Sequence, residues 1–373
     1  MAATEDFGAG VRNLLLGCAG LRAGQRLLIA TEDTDPVFYE PELGPAIAAV
    51  ARELGLTVAM IELPFNPLEA RVPASLSEAM AGADATLFLA RIGDQMRFSP
   101  ALAAHNPVVC YALDREMLAS GFGRAAHAGL VALKSCLDRA LSGARSIRVT
   151  CPLGTEFEGP GAAFPVGGGD VSIRRFPLSV FTPVPARGFA GRVVQEGFLV
   201  GTGASYYAPY AIALDAPITL HFDGTRLLRI DGAAQDVAAA EAHYDHVSRV
   251  TGAVRDHVHS WHAGMHPGCD WRFPAAEGFE RWSGGAFGNP RVLHFHTCGT
   301  EAPGEISLNI LDATVALDGV PVWEAGVLHP GRVAGGADIM ARHPDLAALF
   351  AAPAQGVGAG SSGRFVGRVE ASS

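Results

Sequence analysis

Hydrophobic residues repeat with two different periods in this chain, and the change of period near residue 146 constrains its fold more than any other feature. Before that point, short apolar runs alternate with segments in which apolar residues recur every three or four positions. The runs predict buried strands, and the segments PAIAAVARELG (45–55) and SLSEAMAGA (75–83) predict helices. The predicted strands are RLLIAT (26–31), TVAMIEL (57–63), TLFLA (86–90) and PVVCYAL (107–113).

This alternation of strands and helices predicts a mostly parallel sheet covered by helices on both faces. A dinucleotide-binding domain would carry a glycine-rich turn after its first strand. Here the residues that follow are TEDTDPVFYEPELG, which are acidic and contain proline, and their carboxylates would repel a pyrophosphate. We therefore expect residues 1–145 to form an α/β domain that is not a nucleotide-binding domain.

From residue 146 onward, runs such as SIRVTCPLGTEFEG and APITLHFDGTRLLRIDG combine strand patterns with Gly and Asp-Gly turns. They predict a β-rich α+β domain over residues 146–335, interrupted by one helix at 236–254. Residues 336–373 are expected to form a C-terminal helix and a mobile tail rich in Gly and Ser. The fold class predicted from these patterns is α/β, with an N-terminal parallel-sheet domain followed by the β-rich domain.

Charge and composition limit the partners of the chain. Its formal net charge is -10 and it has no basic run, whereas nucleic-acid binding depends on Lys and Arg that displace counterions from phosphates. No apolar run is long enough to span a bilayer, and the N-terminal MAATEDFGAG lacks the basic and apolar regions of a signal peptide. The six cysteines show no CxxC spacing, which favours reduced thiols. We expect a cytoplasmic protein that binds neither nucleic acid nor membranes.

Histidines cluster in the second region, where eight of the thirteen lie between residues 243 and 296. Imidazole is the commonest metal ligand and a proton shuttle near neutral pH. In LHFHTCG, His294 and His296 alternate, so on a strand they would share one face. The stretch HSWHAGMHPG (259–268) has three histidines at helical spacing, but its glycine and proline favour a loop.

Three of the four tryptophans lie among these histidines, in sequence with little periodicity. Aromatic side chains on loops often line a concave binding site. The predicted substrate-binding residues are Trp261, His266, Trp271, Trp282, His294, Phe295 and His296.

A series of motifs follows in order over about residues 10–328: LRAGQRLLIATE, AMAGADATLFL, RSIRVTCPLGTEF, FPLSVFTP, GRVVQEG, PITLHFDGTRLLRIDG, AGMHPG, GNPRVLHFHTCG and SLNILDATVALDGVPVWEAG. Together they resemble the thermophilic aminopeptidase (aminopeptidase T) family, which also includes the iron-dependent dihydroxypyridine dioxygenases. The resemblance implies an aminopeptidase T-like fold, a metal site in the second domain, and a homodimer.

Most points at which the resemblance implies metal ligands carry other residues here. Ser260 stands where members have Glu or His, Phe295 stands at a ligand histidine, and Leu178-Ser179 replaces an acidic position. In the closing His-x-Asp motif, Ile310 replaces the histidine and only Asp312 matches. Because serine and isoleucine cannot replace imidazole or carboxylate donors, this register predicts a divergent member that has lost the metal site.

Two hypotheses for function follow. In the first, the chain has no metal cofactor and binds a peptide or peptide-like aromatic substrate in a specialised biosynthetic pathway. His259, His262 and Asp312 are then the candidates for a metal-free acid–base step.

In the second hypothesis, relocated ligands hold Fe or Zn in a dioxygenase or an aminopeptidase. A one-residue shift of register leads to His259, His296 and Asp312, which would form the two-histidine, one-carboxylate set of non-heme iron oxygenases. His262 and His294 are the alternatives to the two histidines.

Overall fold

The computed structural model of the chain describes residues 2–33, 37–68, 71–161 and 171–369. Packing divides the chain into two compact units, one of Met1–Val131 with Asp170–Ser179 and the other of Ala132–Gly169 with Val180–Ser373. The domain boundaries at 145 and 335 stay a prediction. Within the described part of the chain, no helix is both long enough and apolar enough to cross a membrane.

The strands alternate along the chain with helices in its first part and with turns in its second. The described residues form the strands β1 (Arg26–Asp33), β2 (Thr57–Pro64), β3 (Ala85–Leu89), β4 (Pro107–Cys110), β5 (Ile147–Thr150), β6 (Glu156–Gly159), β7 (Arg174–Phe176), β8 (Val184–Pro185), β9 (Ala190–Gln195), β10 (Phe198–Gly201), β11 (Ala211–Ala213), β12 (Ile218–Asp223), β13 (Arg226–Asp231), β14 (Val258–Ala263), β15 (Val292–Thr297), β16 (Ile306–Leu311), β17 (Thr314–Leu317), β18 (Val320–Glu324) and β19 (Val327–Leu328).

Most of the helices lie in the first half of the chain. The described residues form the helices α1 (Ala2–Arg12), α2 (Leu43–Glu53), α3 (Ala74–Ala81), α4 (Arg91–Gln95), α5 (Pro100–Ala103), α6 (Arg115–Ala119), α7 (Gly121–Arg124), α8 (His127–Gly143), α9 (Ala234–Thr251), α10 (Phe279–Gly285), α11 (Gly336–Arg342) and α12 (Pro344–Ala351). A π-helical turn follows α1 at Asn13–Cys18, and 3-10 turns occur at Ala275–Glu277 and Pro330–Arg332.

The first unit contains a five-stranded sheet in the order β2-β1-β3-β4-β7, and all of its strand pairs are parallel. The four strands and two helices predicted for this region are confirmed, and with them the N-terminal parallel-sheet fold. The expected burial is wrong for β2, most of whose residues are exposed or half-buried. Since β2 lies at the edge of the sheet, only β1 contributes to its burial from within the sheet. Strand β7 joins the opposite edge and was not predicted.

The second unit contains two antiparallel sheets, which confirms the β-rich second part of the predicted fold. One has eight strands in the order β13-β12-β9-β6-β5-β17-β18-β19, and the other has six in the order β11-β10-β16-β15-β14-β8. Asp-Gly turns form hairpins as expected. At the turn between β17 and β18, Asp318 and Gly319 have φ angles of 48° and 87°, the left-handed backbone that such turns require.

Side chains alternate between the two faces of β14, β15 and β16. One face is aromatic and apolar, where Trp261 and Phe295 pack edge-on against Phe157 with ring centroids 5.6 and 5.4 Å apart. Phe222 lies 4.8 Å from the Phe295 ring. All four side chains are buried, and burying each stabilises the fold by about 3 kcal/mol at most. This apolar face anchors the three strands, and their other face carries the candidate site.

The C-terminal segment packs against the second unit, which corrects the expectation of a mobile tail for its described residues, 353–369. Phe365 is 3% exposed and contacts the rings of Phe198 and Trp282. The indole Nε1 of Trp282 donates a hydrogen bond to the carbonyl of Val357 at 2.8 Å. Small residues permit this approach, because a Cβ on Gly358 would lie 2.5 Å from the same indole nitrogen.

Candidate metal centre

The polar face of β14, β15 and β16 is built by strand register. Ser260 pairs with His296, and His262 pairs with His294, across β14 and β15. On the next strand, Asn309 pairs with His294 and Ser307 pairs with His296. Directly paired residues of an antiparallel sheet share one face. The six polar side chains, all buried, are Ser260, His262, His294, His296, Ser307 and Asn309.

Three histidines on this face lie together. One ring nitrogen from each of His262, His294 and His296 lies within 4.8 Å of the others. The His262 ring centroid is 4.9 Å from that of His294 and 5.0 Å from that of His296. The exposed fractions of the three residues are 7%, 0% and 4%. Converging imidazole nitrogens are a suitable ligand set for zinc, iron or copper.

His294 is fully buried, and neither of its ring nitrogens has a hydrogen-bond partner among the described residues. Leaving a buried polar group unpaired costs about 1–3 kcal/mol. Burial, with a smaller contribution from neighbouring His262, holds the pKa of His294 well below its usual value, so the ring is neutral. A neutral imidazole with an unpaired nitrogen fits a metal ion, which would satisfy that atom.

Hydrogen bonds orient the other two rings. His262 Nδ1 donates to the backbone carbonyl of Phe181 at 3.3 Å. His296 Nδ1 lies 3.2 Å from Ser260 Oγ, and Ser260 Oγ lies 2.9 Å from His259 Nδ1. The Ser260 hydroxyl can therefore accept from His296 and donate to His259. A carbonyl partner fixes the tautomer of a metal-binding histidine, and a hydroxyl partner helps to orient its ring.

Two aromatic rings pack against the cluster. Phe181 meets His262 edge-on, with ring centroids 6.1 Å apart. The ring of Phe287 lies only 3.8 Å from that of His294, and Phe287 itself is half-buried. Phe287 thus contacts a fully buried histidine and also reaches the surface. Sequence reasoning missed Phe181 and Phe287, which lie in the motifs FPLSVFTP and GNPRVLHFHTCG or next to them, because only the fold brings these segments to the histidines.

The structure does not bring His259, His296 and Asp312 together as a metal site. Asp312 follows β16 and accepts two hydrogen bonds from the guanidinium of Arg291, at 2.7 and 2.8 Å. His259 lies at a bulge of β14, between the register pairs of Val258 and Ser260, and its contact with the cluster runs through Ser260. Among the described residues, no carboxylate oxygen or thiol sulfur joins the three histidines within 4.8 Å.

The predicted substrate-binding aromatic residues lie in several places. Trp261 and Phe295 belong to the aromatic core, on the opposite face of the strands from His262 and His294. Trp271 forms a bridge with the C-terminal segment at Val357. Trp282 contacts that segment on one side and the Phe287 ring on the other, at 5.2 Å. Among these four residues, Trp282 therefore contacts Phe287, the ring that packs against His294.

His266 is fully buried beyond the end of β14, and its Nδ1 accepts a hydrogen bond from the backbone of Gly268. The expectation of a loop over 259–268 is wrong for the part of the stretch that lies in β14. It holds from Gly264 onward. The expectation that His294 and His296 share a strand face is confirmed by their register with Ser307 and Asn309.

The positions that the sequence resemblance aligns with metal ligands do not share one face. Ser260 lies beside His296 on the polar face, whereas Phe295 and Ile310 face the aromatic side with Leu293. One metal ion cannot be bound from both sides of a sheet. The loss of a metal site stays a prediction. Two of the three clustered histidines, His294 and His296, flank Phe295 on β15.

Comparisons with known proteins show similarity at the level of structure. No protein-family model matches the sequence, and no curated protein matches it. The structure of 2,5-dihydroxypyridine dioxygenase from Pseudomonas putida KT2440 is 17% identical, with a TM-score of 0.58 over 88% of this chain and 96% of that chain. Wild-type AmpT from Thermus thermophilus is 13% identical, with a TM-score of 0.47 over 86% of this chain and 98% of that chain. The chain therefore shares its fold with the dioxygenase at a distant level of relationship.

Proposed function

We propose that this protein is a metal-dependent enzyme in which His262, His294 and His296 hold an iron or zinc ion. The unpaired, fully buried imidazole of His294 beside two other buried histidines is the observation that carries the proposal. Buried polar groups in proteins are almost always hydrogen-bonded. Among the described residues His294 lacks a partner on both ring nitrogens, whereas His243 lacks one on a single nitrogen. A metal ion bound to one of the two ring nitrogens of His294 would satisfy that atom.

Three protein ligands leave coordination positions for other molecules, and a bound ion would supply a Lewis acid there. The residues of the chain then have separate tasks. The carbonyl of Phe181 and the hydroxyl of Ser260 orient two of the ligand rings. Phe181 and Phe287 keep water from the histidines, and displacement of the half-buried Phe287 ring would admit a substrate.

For the reaction we propose oxygen-dependent cleavage of a small aromatic compound with iron as the cofactor. The shared fold with a protein described as a 2,5-dihydroxypyridine dioxygenase supports this choice. Histidine-rich sites with open positions also suit non-heme iron. A homodimer in the cytoplasm remains part of the proposal.

A second candidate is a metal-free protein that binds a peptide or peptide-like aromatic compound for a biosynthetic pathway. The pairing of Asp312 with Arg291 favours it, because the one carboxylate that matches the family's metal motif is engaged elsewhere. In this case the buried histidines would contact the ligand directly.

Metal analysis distinguishes the two candidates. Protein purified without chelator should contain about one iron or zinc ion per chain, and His294→Gln should lose most of it. His243→Gln is the matched control, since His243 is also buried, at 3% exposure, but lies on α9 outside the cluster. Equal metal content in the two variants, or none in the wild type after reconstitution with Fe²⁺ or Zn²⁺, contradicts the proposal.

A further inference from the structure

The charge of the histidine centre limits what it can bind. Its three protein ligands are imidazoles, which are neutral when they coordinate a metal. The carboxylate of Asp312 is neutralised by Arg291, and within the described part of the chain no acidic group belongs to the cluster. A divalent ion held there would therefore keep both of its positive charges.

Such a charge would be buried. His294 and His296 are 0% and 4% exposed, and the rings of Phe181 and Phe287 lie against the cluster. A buried charge is costly unless an opposite charge or a set of hydrogen bonds compensates it. A site with one carboxylate ligand supplies part of this compensation from the protein, and this site does not.

We infer that the centre selects an anionic substrate, a carboxylate or a deprotonated hydroxyl compound, over a neutral molecule of the same shape. This inference rests on the proposed metal site and adds the class of substrate. It disfavours an uncharged peptide group as the part of the substrate that the ion recognises.

Neighbouring polar residues could donate hydrogen bonds to a bound anion. Asn309 and Ser307 are paired with His294 and His296 on the same face, and both are buried. Within the described part of the chain, the amide nitrogen of Asn309 donates only a long hydrogen bond, 3.4 Å, to the carbonyl of Ser307. Its N–H groups could donate a hydrogen bond to a substrate oxygen beside the histidines, since only this long hydrogen bond would be given up.

The test uses the full chain loaded with Co²⁺, whose visible absorption reports on its ligands. Acetate and azide should change this spectrum at millimolar concentrations, and acetamide, the neutral counterpart of acetate, should bind at least about tenfold more weakly. If acetamide perturbs the spectrum as well as acetate does, or if neither anion perturbs it, the inference is overturned. If the wild type does not bind Co²⁺, or if His294→Gln binds as much Co²⁺ as the wild type does, the proposed metal site itself is wrong.

Two charge variants sharpen the test. Asn309→Asp places a negative charge opposite His294 and should weaken acetate and azide binding by about tenfold or more while Co²⁺ remains bound. Gln235→Glu adds the same charge at an exposed position of α9 and should leave anion binding unchanged. Equal anion affinity in the two variants contradicts the inference, and the acetate–acetamide comparison decides it if Asn309→Asp does not fold.

Discussion

Ser260 illustrates how one side chain can be misread from its chemistry alone. A serine at a ligand position suggested that a metal site was lost. In the structure its hydroxyl lies between the Nδ1 atoms of His296 and His259. It supports a neighbouring imidazole instead of supplying a ligand itself. A serine beside a histidine can thus help to orient the imidazole ring.

Removing this support should weaken metal binding without unfolding the protein. We expect Ser260→Ala to lower metal affinity by about 10–100-fold, because His296 loses a hydrogen-bond partner that helps to orient its ring. Competition with a chromogenic chelator measures the affinity. Ser283→Ala removes another buried hydroxyl, which contacts Tyr210, and should keep wild-type affinity. The same affinity loss in both variants would show that Ser260 has no special role.

Strand alternation explains how much of the site was predictable. All three histidines of the cluster were named from the sequence, and the shared face of His294 and His296 followed from two-residue spacing alone. Their grouping with His262 did not, because the pairing of β14 with β15 joins segments that are distant in sequence. The bulge at His259 could not be foreseen either, since no local residue pattern there indicates one.

In the rest of the fold as well, local patterns were predictable and contacts between distant segments were not. Four strands and two helices of the first unit were predicted by local periodicity, whereas the addition of β7 to that sheet depends on a non-local contact with β4. The C-terminal segment has the composition of a linker. Its position against Trp282 depends on small residues that allow close approach, a property that composition alone does not reveal.

The segment after α10 supplies the next prediction. We expect Phe287→Ala to speed removal of the metal by a chelator by at least about tenfold, because the half-buried Phe287 ring packs against the fully buried ring of His294. Stopped-flow absorbance with excess chelator measures the rate. Phe279→Ala is the matched control, since this half-buried ring packs on Phe198 and makes no ring contact with the cluster. If both variants release metal at the same rate, Phe287 does not control access.

Buried histidines link the stability of the whole protein to pH. Burial is the main cause that lowers the pKa of His127 in the first unit, and of His243 and His259 in the second, to about 4. An unfolded chain has histidine pKa values near 6.5. Between these values the unfolded state binds more protons, so the stabilisation is complete above about pH 6.5 and falls as the pH decreases toward 4.

For His243, which is 3% exposed, this effect amounts to about 2 kcal/mol between pH 7 and pH 5. Urea unfolding of the metal-free protein should show that His243→Gln has a smaller loss of unfolding free energy over this range than the wild type. Gln235→Ala, at an exposed position of the same helix, should match the wild type. An unchanged pH dependence in His243→Gln would mean that this residue is protonated equally in both states.

The alternation of β14, β15 and β16 also bears on how such a protein can evolve. Polar positions such as His262 and Asn309 point to the site, whereas Trp261 and Phe295 point to the core. Substitutions on one face leave the packing of the other largely intact, so new ligand sets can arise step by step on a stable scaffold. Deleting a single codon within a strand has the opposite effect, because it would exchange the two faces and place imidazoles among the core aromatic rings.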